Sequence, residues 1–251
     1  MARAFAPFAL TCLRQRSRQP CLSILSARQY HSHEHASSSP FSPTEDAILS
    51  AALKYVLSSS FTAESLSLGA QDAGYLPIST NLFPSGAFAL VNYHLVTQRL
   101  RLSDSFSRPD PSPQLNISDN VRSIAMQRLK GTAPYIPQWQ DALALLSMRS
   151  NIPTGVRELA RLADEILYLA GSDTVTTAWY TDRMALAGIY ASAELFMTQD
   201  RSRGFADTED FLHRRLQEGE KLRDAGSMVG KWVGMQAGGL IDGLRSKGVW
   251  I

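Results

Sequence analysis

The sequence predicts an all-α protein, and three observations carry that prediction. From Thr44 onward, apolar residues recur at helical spacing in one segment after another. No run alternates apolar and polar residues for long enough to argue for a strand. Glycines and prolines, among them Gly74, Pro84, Pro134, Pro137, Pro153, Gly171 and Gly204, fall between the periodic segments, where helices are expected to end or begin.

Taken in order, Thr44-Glu45-Asp46 supplies an acidic first turn, followed by Ile48, Leu49, Ala52, Leu53, Val56 and Leu57 at helical intervals. A second helix covers about 63–73, with Gly74 as a left-handed stop. Pro77 opens a short third helix that Pro84 and Gly86 end, and about 88–102 reads as a longer apolar one. Ser103-Asp104-Ser105, Pro109, Pro111, Pro113 and Asn116 break the pattern. Residues 103–118 are therefore read as a linker between a lobe at 44–102 and a larger helical domain at 119–225. Further helices are expected at about 119–130, 137–148, 155–170, 176–199 and 207–223, and a last one at about 227–245 within a C-terminal segment 226–251.

The chain before Thr44 has a different composition. Arg3, Arg14, Arg16, Arg18 and Arg28 lie in the first thirty residues and the first acid is Glu34. Cys12 and Cys21 are the chain's two cysteines, and both fall in this stretch. Without those five arginines, 20 cations face 23 acids, so a chain of net charge +2 carries a body of net charge −3. An Arg- and Ser-rich, acid-poor start is the composition of a mitochondrial transit peptide, here 1–30. Arg28-Gln29-Tyr30-His31 resembles an Arg-x-Tyr processing site. Arg14, Arg16 and Arg18 interrupt the apolar core that a secretory signal needs. His31, His33 and His35 alternate like a metal-binding tract. The Ser/Pro run that follows them favours a solvated leader over 31–43. No stretch approaches the ~18 apolar residues of a membrane-spanning helix.

Three motifs follow. Ala63–Phe83 has helix-turn-helix dimensions. A nucleic-acid reader needs cations, yet there is neither Lys nor Arg from Tyr55 through Gln98, so nucleic acid is excluded as a partner. The segment 176–199 is apolar on nearly every side, which suits either a plain core helix or the wall of a cavity. Trp179 and Tyr180 at its entrance, beside Arg183, form a candidate partner contact. The last helix gathers Leu222, Val229, Trp232, Val233, Leu240 and Leu244 on one face. Gly226, Gly230, Gly234 and Gly238 recur beside that face, which suits a bilayer interface or close packing on another helix. The search for catalysis is negative: the body holds no thiol, nucleophile elbow, phosphate loop or paired metal ligands. Asp210-x-x-His213 is an unmatched half of a carboxylate-bridged metal site. The expectation is no enzyme, no cofactor and no metal.

Ala163-Asp164-Glu165-Ile166, Ala170-Gly171, Trp179-Tyr180-Thr181-x-Arg183, Ala187-x-Ile189-Tyr190, Glu194-Leu195 and Gln199-Asp200 closely resemble the mitochondrial ubiquinone-biosynthesis lipid-binding family, Coq-nine. Phe205-x-Asp207-Thr208 and Phe211-Leu212-x-Arg214-Arg215 continue the match, as do Tyr135-Ile136-x-x-Trp139 and Asn151-Ile152-Pro153 upstream. The resemblance implies a TetR-like fold with a helix-turn-helix lobe and a larger ligand and homodimer domain. It also implies a non-catalytic protein that binds isoprenoid or phospholipid tails. Such a protein presents quinone intermediates to the di-iron demethoxyubiquinone hydroxylase of the biosynthetic complex, on the matrix face of the inner membrane. An assembly scaffold without lipid carriage is the alternative. The family's hydroxylase-facing patch carries over onto Asp164, Trp179 and Tyr180, with Arg183 beside them. Its membrane contact carries over onto the last helix. Leu186, Ile189, Tyr190, Ala193, Phe196 and Met197 are candidates for one wall of the lipid site. Ser172 through Thr177 depart from the acidic and amide residues that family members often carry there.

Overall fold

The computed structural model describes residues 40–107, 116–172 and 178–221. Among them every regular element is helical. Helix α1 (Pro43–Ala52) starts at a capping box: Glu45 N donates to Ser42 Oγ at 3.3 Å, and Ser42 N donates to Glu45 Oε2 at 2.8 Å. A 3₁₀ turn leads into the short α2 (Val56–Ser59). Thr62 then caps α3 (Ala63–Asp72), its Oγ1 accepting from Ser65 N at 3.4 Å. α1 and α3 cross closely. A Cβ built on Gly69 would lie 2.3 Å from the Cβ of Ala52, so only glycine fits there.

Pro77–Leu82 is a 3₁₀ helix and not the short α-helix expected of a recognition element. Phe83 precedes Pro84 and is held out of the helical region at φ −109°, ψ 88°, which ends the segment. α4 (Phe88–Ser105) then runs past the expected boundary at 103. Ser103 and Ser105 do not break it. Their hydroxyls donate back to the carbonyls of Leu100 (2.7 Å) and Arg101 (3.2 Å).

α5 (Ile117–Thr132) is followed by a 3₁₀ turn, α6 (Ile136–Ser147), α7 (Ile152–Leu169), α8 (Ala178–Met197) and α9 (206–221). Pro137 and Pro153, expected between helices, occupy the first turns of α6 and α7, where a missing N–H costs nothing. α8 is not buried all round: Tyr180, Met184 and Leu195 are exposed.

Two apolar clusters organise the packing. The first gathers α1, α3 and the start of α4 around Phe61 and Trp139. The second joins α5, α7 and α8 with Leu212 of α9. Trp139 and Ala142 place α6 in the first cluster, although the sequence put this helix in the larger domain. α4 belongs to both clusters, through Phe88–Tyr93 and through Leu102. It is also tied to α7 by a buried ion pair, Arg99 Nε to Glu158 Oε1 at 2.6 Å. The helix-turn-helix-sized lobe and the larger bundle thus share structure across the expected linker.

Candidate functional site

Where α7 meets α8, the structure brings together all four residues assigned to partner contact. Trp179 and Arg183 are one turn apart on α8, which puts them on the same face. The Arg183 guanidinium lies 3.7 Å from the centroid of the Trp179 ring. Its Nη1 donates to the Trp179 carbonyl at 3.2 Å, and its Nε donates to Asp164 Oδ1 of α7 at 2.5 Å. The pair is largely shielded, each side chain 14% exposed. The Tyr180 ring packs edge-on to Trp179, with centroids 4.6 Å apart, and is itself 70% exposed. The result is a rigid aromatic prominence. Arg183 is held on two sides, and its flat cation in turn orders the indole. With arginine neutralised by the carboxylate, the corner offers contact area rather than a reactive group.

The same helix separates two apolar faces. Leu186, Tyr190, Ala193 and Met197 point inward and are buried in the second cluster. Tyr180, Met184 and Leu195 point outward, with Met184 77% exposed. Of the six residues assigned to a lipid wall, the four inward ones are therefore packed in the core. Phe196 lies at the rim, stacked on Phe211 of α9 with ring centroids 4.6 Å apart and planes within 3°. Ile189 also lies beneath α9, where a Cβ on Gly219 would come within 3.2 Å of its Cδ1.

Reasoning from the sequence missed a buried polar cluster between the two apolar ones. His94 of α4 makes edge-on contacts with the rings of Tyr135 (5.0 Å) and Trp139 (5.2 Å). Arg128 of α5, Trp139 of α6, and Tyr190 and Glu194 of α8 are all buried as well. Burial, helped by the positive field of Arg128 and Arg101, pushes the His94 imidazole down to about 3, so it is neutral. Burial raises Glu194 above the ordinary carboxylate range, against the opposing pull of Arg128 and a hydrogen bond from the Trp139 indole. It also raises the Tyr190 phenol, which Arg128 partly offsets. One signal was legible: Glu194 is the single acid in the apolar second half of α8, one turn from Tyr190.

Elsewhere, His213 is engaged rather than solvated, its ring nitrogens facing Arg122 Nη1 at 3.4 Å and Gln217 Nε2 at 2.9 Å. Asp200 organises the entry to α9. It accepts from Ser202 N at 2.7 Å, Thr208 N at 2.9 Å and Thr208 Oγ1 at 2.5 Å. Burial pushes its carboxyl up, but those bonds outweigh it and hold the group below its ordinary value. Among the described residues no cluster of acids, His or Cys has the makings of a metal site, and no helix is long and apolar enough to cross a membrane. The membrane residues assigned from the sequence, Leu222, Val229, Trp232, Val233, Leu240 and Leu244, lie outside the described residues.

Comparison with known proteins bears on these arrangements. The mitochondrial ubiquinone biosynthesis protein coq9 of Schizosaccharomyces pombe is 34% identical over 228 residues, covering 91% of this chain and 90% of its own length. The chain belongs to the COQ9 family. The COQ9 family profile matches residues 152–223, the stretch that carries Asp164, Trp179–Arg183 and the whole of α8. COQ9 of Drosophila melanogaster is 34% identical over 70% of this chain and 55% of its own length. Human COQ9 is 32% identical over 72% and 59%. The chain thus spans little more than half the length of these animal COQ9 proteins. Family membership gives it a role in ubiquinone biosynthesis in the mitochondrion. A TetR transcriptional regulator from Nitrosomonas europaea superposes on 71% of the chain and 99% of its own, with TM-score 0.55 and 16% identity. The fold is TetR-like and all-α, which accounts for a helix-turn-helix-sized lobe at 44–102.

Proposed function

We propose that this COQ9-family protein is a non-catalytic accessory protein that binds isoprenoid or quinone intermediates of ubiquinone biosynthesis and presents them to the demethoxyubiquinone hydroxylase. The single observation carrying the reading is the α7–α8 corner. An exposed Tyr180 and an ordered Trp179, locked by the Arg183–Asp164 pair, stand at the head of an α8 face that leaves Met184 and Leu195 bare. Rigid aromatics beside a desolvated arginine are what protein interfaces use as anchors. A polyprenyl tail is almost insoluble, so an enzyme working on its head group is served by a partner that shelters the tail. Leu186, Ile189, Tyr190, Ala193, Phe196 and Met197 would form one wall of that shelter. Transit through residues 1–30, dimerisation, and docking of the C-terminal helix on the matrix face of the inner membrane complete the proposal.

A scaffold without lipid carriage is the second reading. It draws support from the burial of Leu186, Tyr190, Ala193 and Met197 in the packed core. Native mass spectrometry with lipid extraction, on protein purified without added lipid, separates the two. Co-purifying quinone, isoprenoid or phospholipid supports carriage. An empty protein that still captures the hydroxylase leaves the scaffold.

A further inference from the structure

The corner between α6 and α7 carries an apolar stripe that the described residues leave bare. Met148 is 51% exposed, Ile152 45% and Val156 59%. Their spacing of four residues puts them on one face. The Met148 carbonyl accepts from Asn151 N at 2.8 Å and from Ile152 N at 3.0 Å, so Met148 is fixed against the first turn of α7. The Asn151 side chain donates to the Leu145 carbonyl at 2.9 Å and ties the corner back to α6. Farther along α7 the same face continues through Ala163 and Leu167, which are buried in the second apolar cluster. Only the start of the stripe is open.

The charges around it are one-sided. From Ala142 through Ala163 the cations are Arg149, Arg157 and Arg161, and the acid is Glu158. Glu158 is buried and held by Arg99 at 2.6 Å, with Arg161 3.8 Å away. Arg149 and Arg157 stand exposed beside Met148 and Val156, and neither has an ion pair among the described residues. The chain after residue 30 carries a net charge of −3, so this corner attracts a negative surface against the sign of the whole. Protein interfaces anchor on Trp and Tyr beside Arg, whereas aliphatic carbons flanked by free cations match a lipid headgroup layer. We propose that the α6–α7 corner docks on an anionic lipid bilayer, with Met148, Ile152 and Val156 entering the headgroup layer and Arg149 and Arg157 at its phosphates. Ile152 and Asp164 are separated by about 18 Å along α7 at 1.5 Å per residue. A bilayer at one end therefore leaves the Trp179 corner open to a partner. The surface belongs to the helical bundle and does not depend on the last helix or on lipid carriage.

The test uses the full chain with Cys12→Ser and Cys21→Ser, an NBD fluorophore on Val156→Cys, and a control fluorophore on Gln127→Cys, an exposed position of α5. Vesicles are phosphatidylcholine alone or with about one-third phosphatidylglycerol. The probe at position 156 should shift to the blue on the anionic vesicles, lose that shift at high salt, and shift far less on phosphatidylcholine alone. The control should not move. Arg149→Gln with Arg157→Gln should weaken binding to the anionic vesicles about thirty-fold at an unchanged melting temperature. No shift at position 156 on the anionic vesicles, or equal shifts at both positions, overturns the site. A probe at 156 already blue-shifted without vesicles overturns it too. Persistence of that shift on dilution would mean that the chain's own last segment covers the stripe, and its loss on dilution that a second copy does. A shift on adding the hydroxylase, with none on vesicles, would make the corner a protein contact instead.

Discussion

Arg183 reaches from α8 to α7 and donates its Nε to Asp164 at 2.5 Å, while its guanidinium plane covers Trp179 at 3.7 Å. One side chain thus ties two helices together and fixes the aromatic that leads the outward face of α8. Because the pair is 14% exposed on both sides, neither partner is easily replaced by water.

Trp179→Lys is expected to weaken hydroxylase binding by about thirty-fold, the effect of losing a ~2 kcal/mol anchor. Lipid co-purification and the melting temperature should hold. Arg183→Lys should give a smaller loss in the same pull-down, because lysine keeps the charge but not the flat stack on the indole. Unfolding together with loss of both activities would instead place Trp179 in the core.

Gly69 and Gly131 both sit in helices but should respond oppositely to alanine. At Gly69 the new methyl meets Ala52 at 2.3 Å, backbone and all, so α1 and α3 must separate. Gly69→Ala should cost about 1–3 kcal/mol or more in a denaturant melt. At Gly131 the contact is the movable end of Gln98, Oε1 at 2.5 Å. Gly131→Ala should be neutral or stabilising by up to ~1 kcal/mol, since α5 gains helix propensity.

Arg99→Ala leaves Glu158 buried with only the more distant Arg161, whose Nη1 stands 3.8 Å away. A loss of about 3–5 kcal/mol is expected from an abandoned buried charge. The double change Arg99→Met with Glu158→Leu should recover most of it. A double variant no more stable than Arg99→Ala would show that the pair does more than match charge.

Stability should fall in acid because of His94. The unfolded chain takes up a proton on this ring near pH 6.5, whereas the fold resists protonation down to about 3. The unfolded state therefore binds the extra proton between those values, and stability drops by roughly 1.4 kcal/mol per pH unit as pH falls through the window. Glu194 acts with the opposite sign. Its carboxyl titrates above the ordinary carboxylate range in the fold, so its contribution declines as pH rises through and beyond that range. His94→Phe removes only the first effect, and urea melts from pH 7 to 4 should show a flatter profile for that variant.

Trp232→Asp is expected to reduce liposome flotation of the intact protein if the last helix lies in the bilayer interface. Unchanged flotation would return that helix to packing on protein.

Local chemistry made much of the fold readable. The glycine at 74 adopts φ +81° as a helix stop should, and the helices from Ala63, Phe88 and Ala178 start within two residues of expectation. Ser103 and Ser105 misled, because serine's preference for breaks depends on whether its hydroxyl finds a helix carbonyl, and here both do. The partner corner was legible through Trp179, Tyr180 and Arg183, which are close in sequence. The outward aim of Met184 and Leu195 was not, since a helix apolar on most sides does not say which side its neighbours leave bare.

Periodicity, caps and breakers act over a few residues, and so the chain's helical class and its family motifs could be determined from the sequence by itself. The tertiary structure alone decided that α4 and α6 join the two lobes and that one face of α8 is bare. It alone gathered His94, Arg128, Trp139, Tyr190 and Glu194, spread over a hundred residues, into one buried group. The physical reason is that burial and polar contacts belong to neighbours in space, and no spacing rule along a single chain encodes which distant helices will supply them.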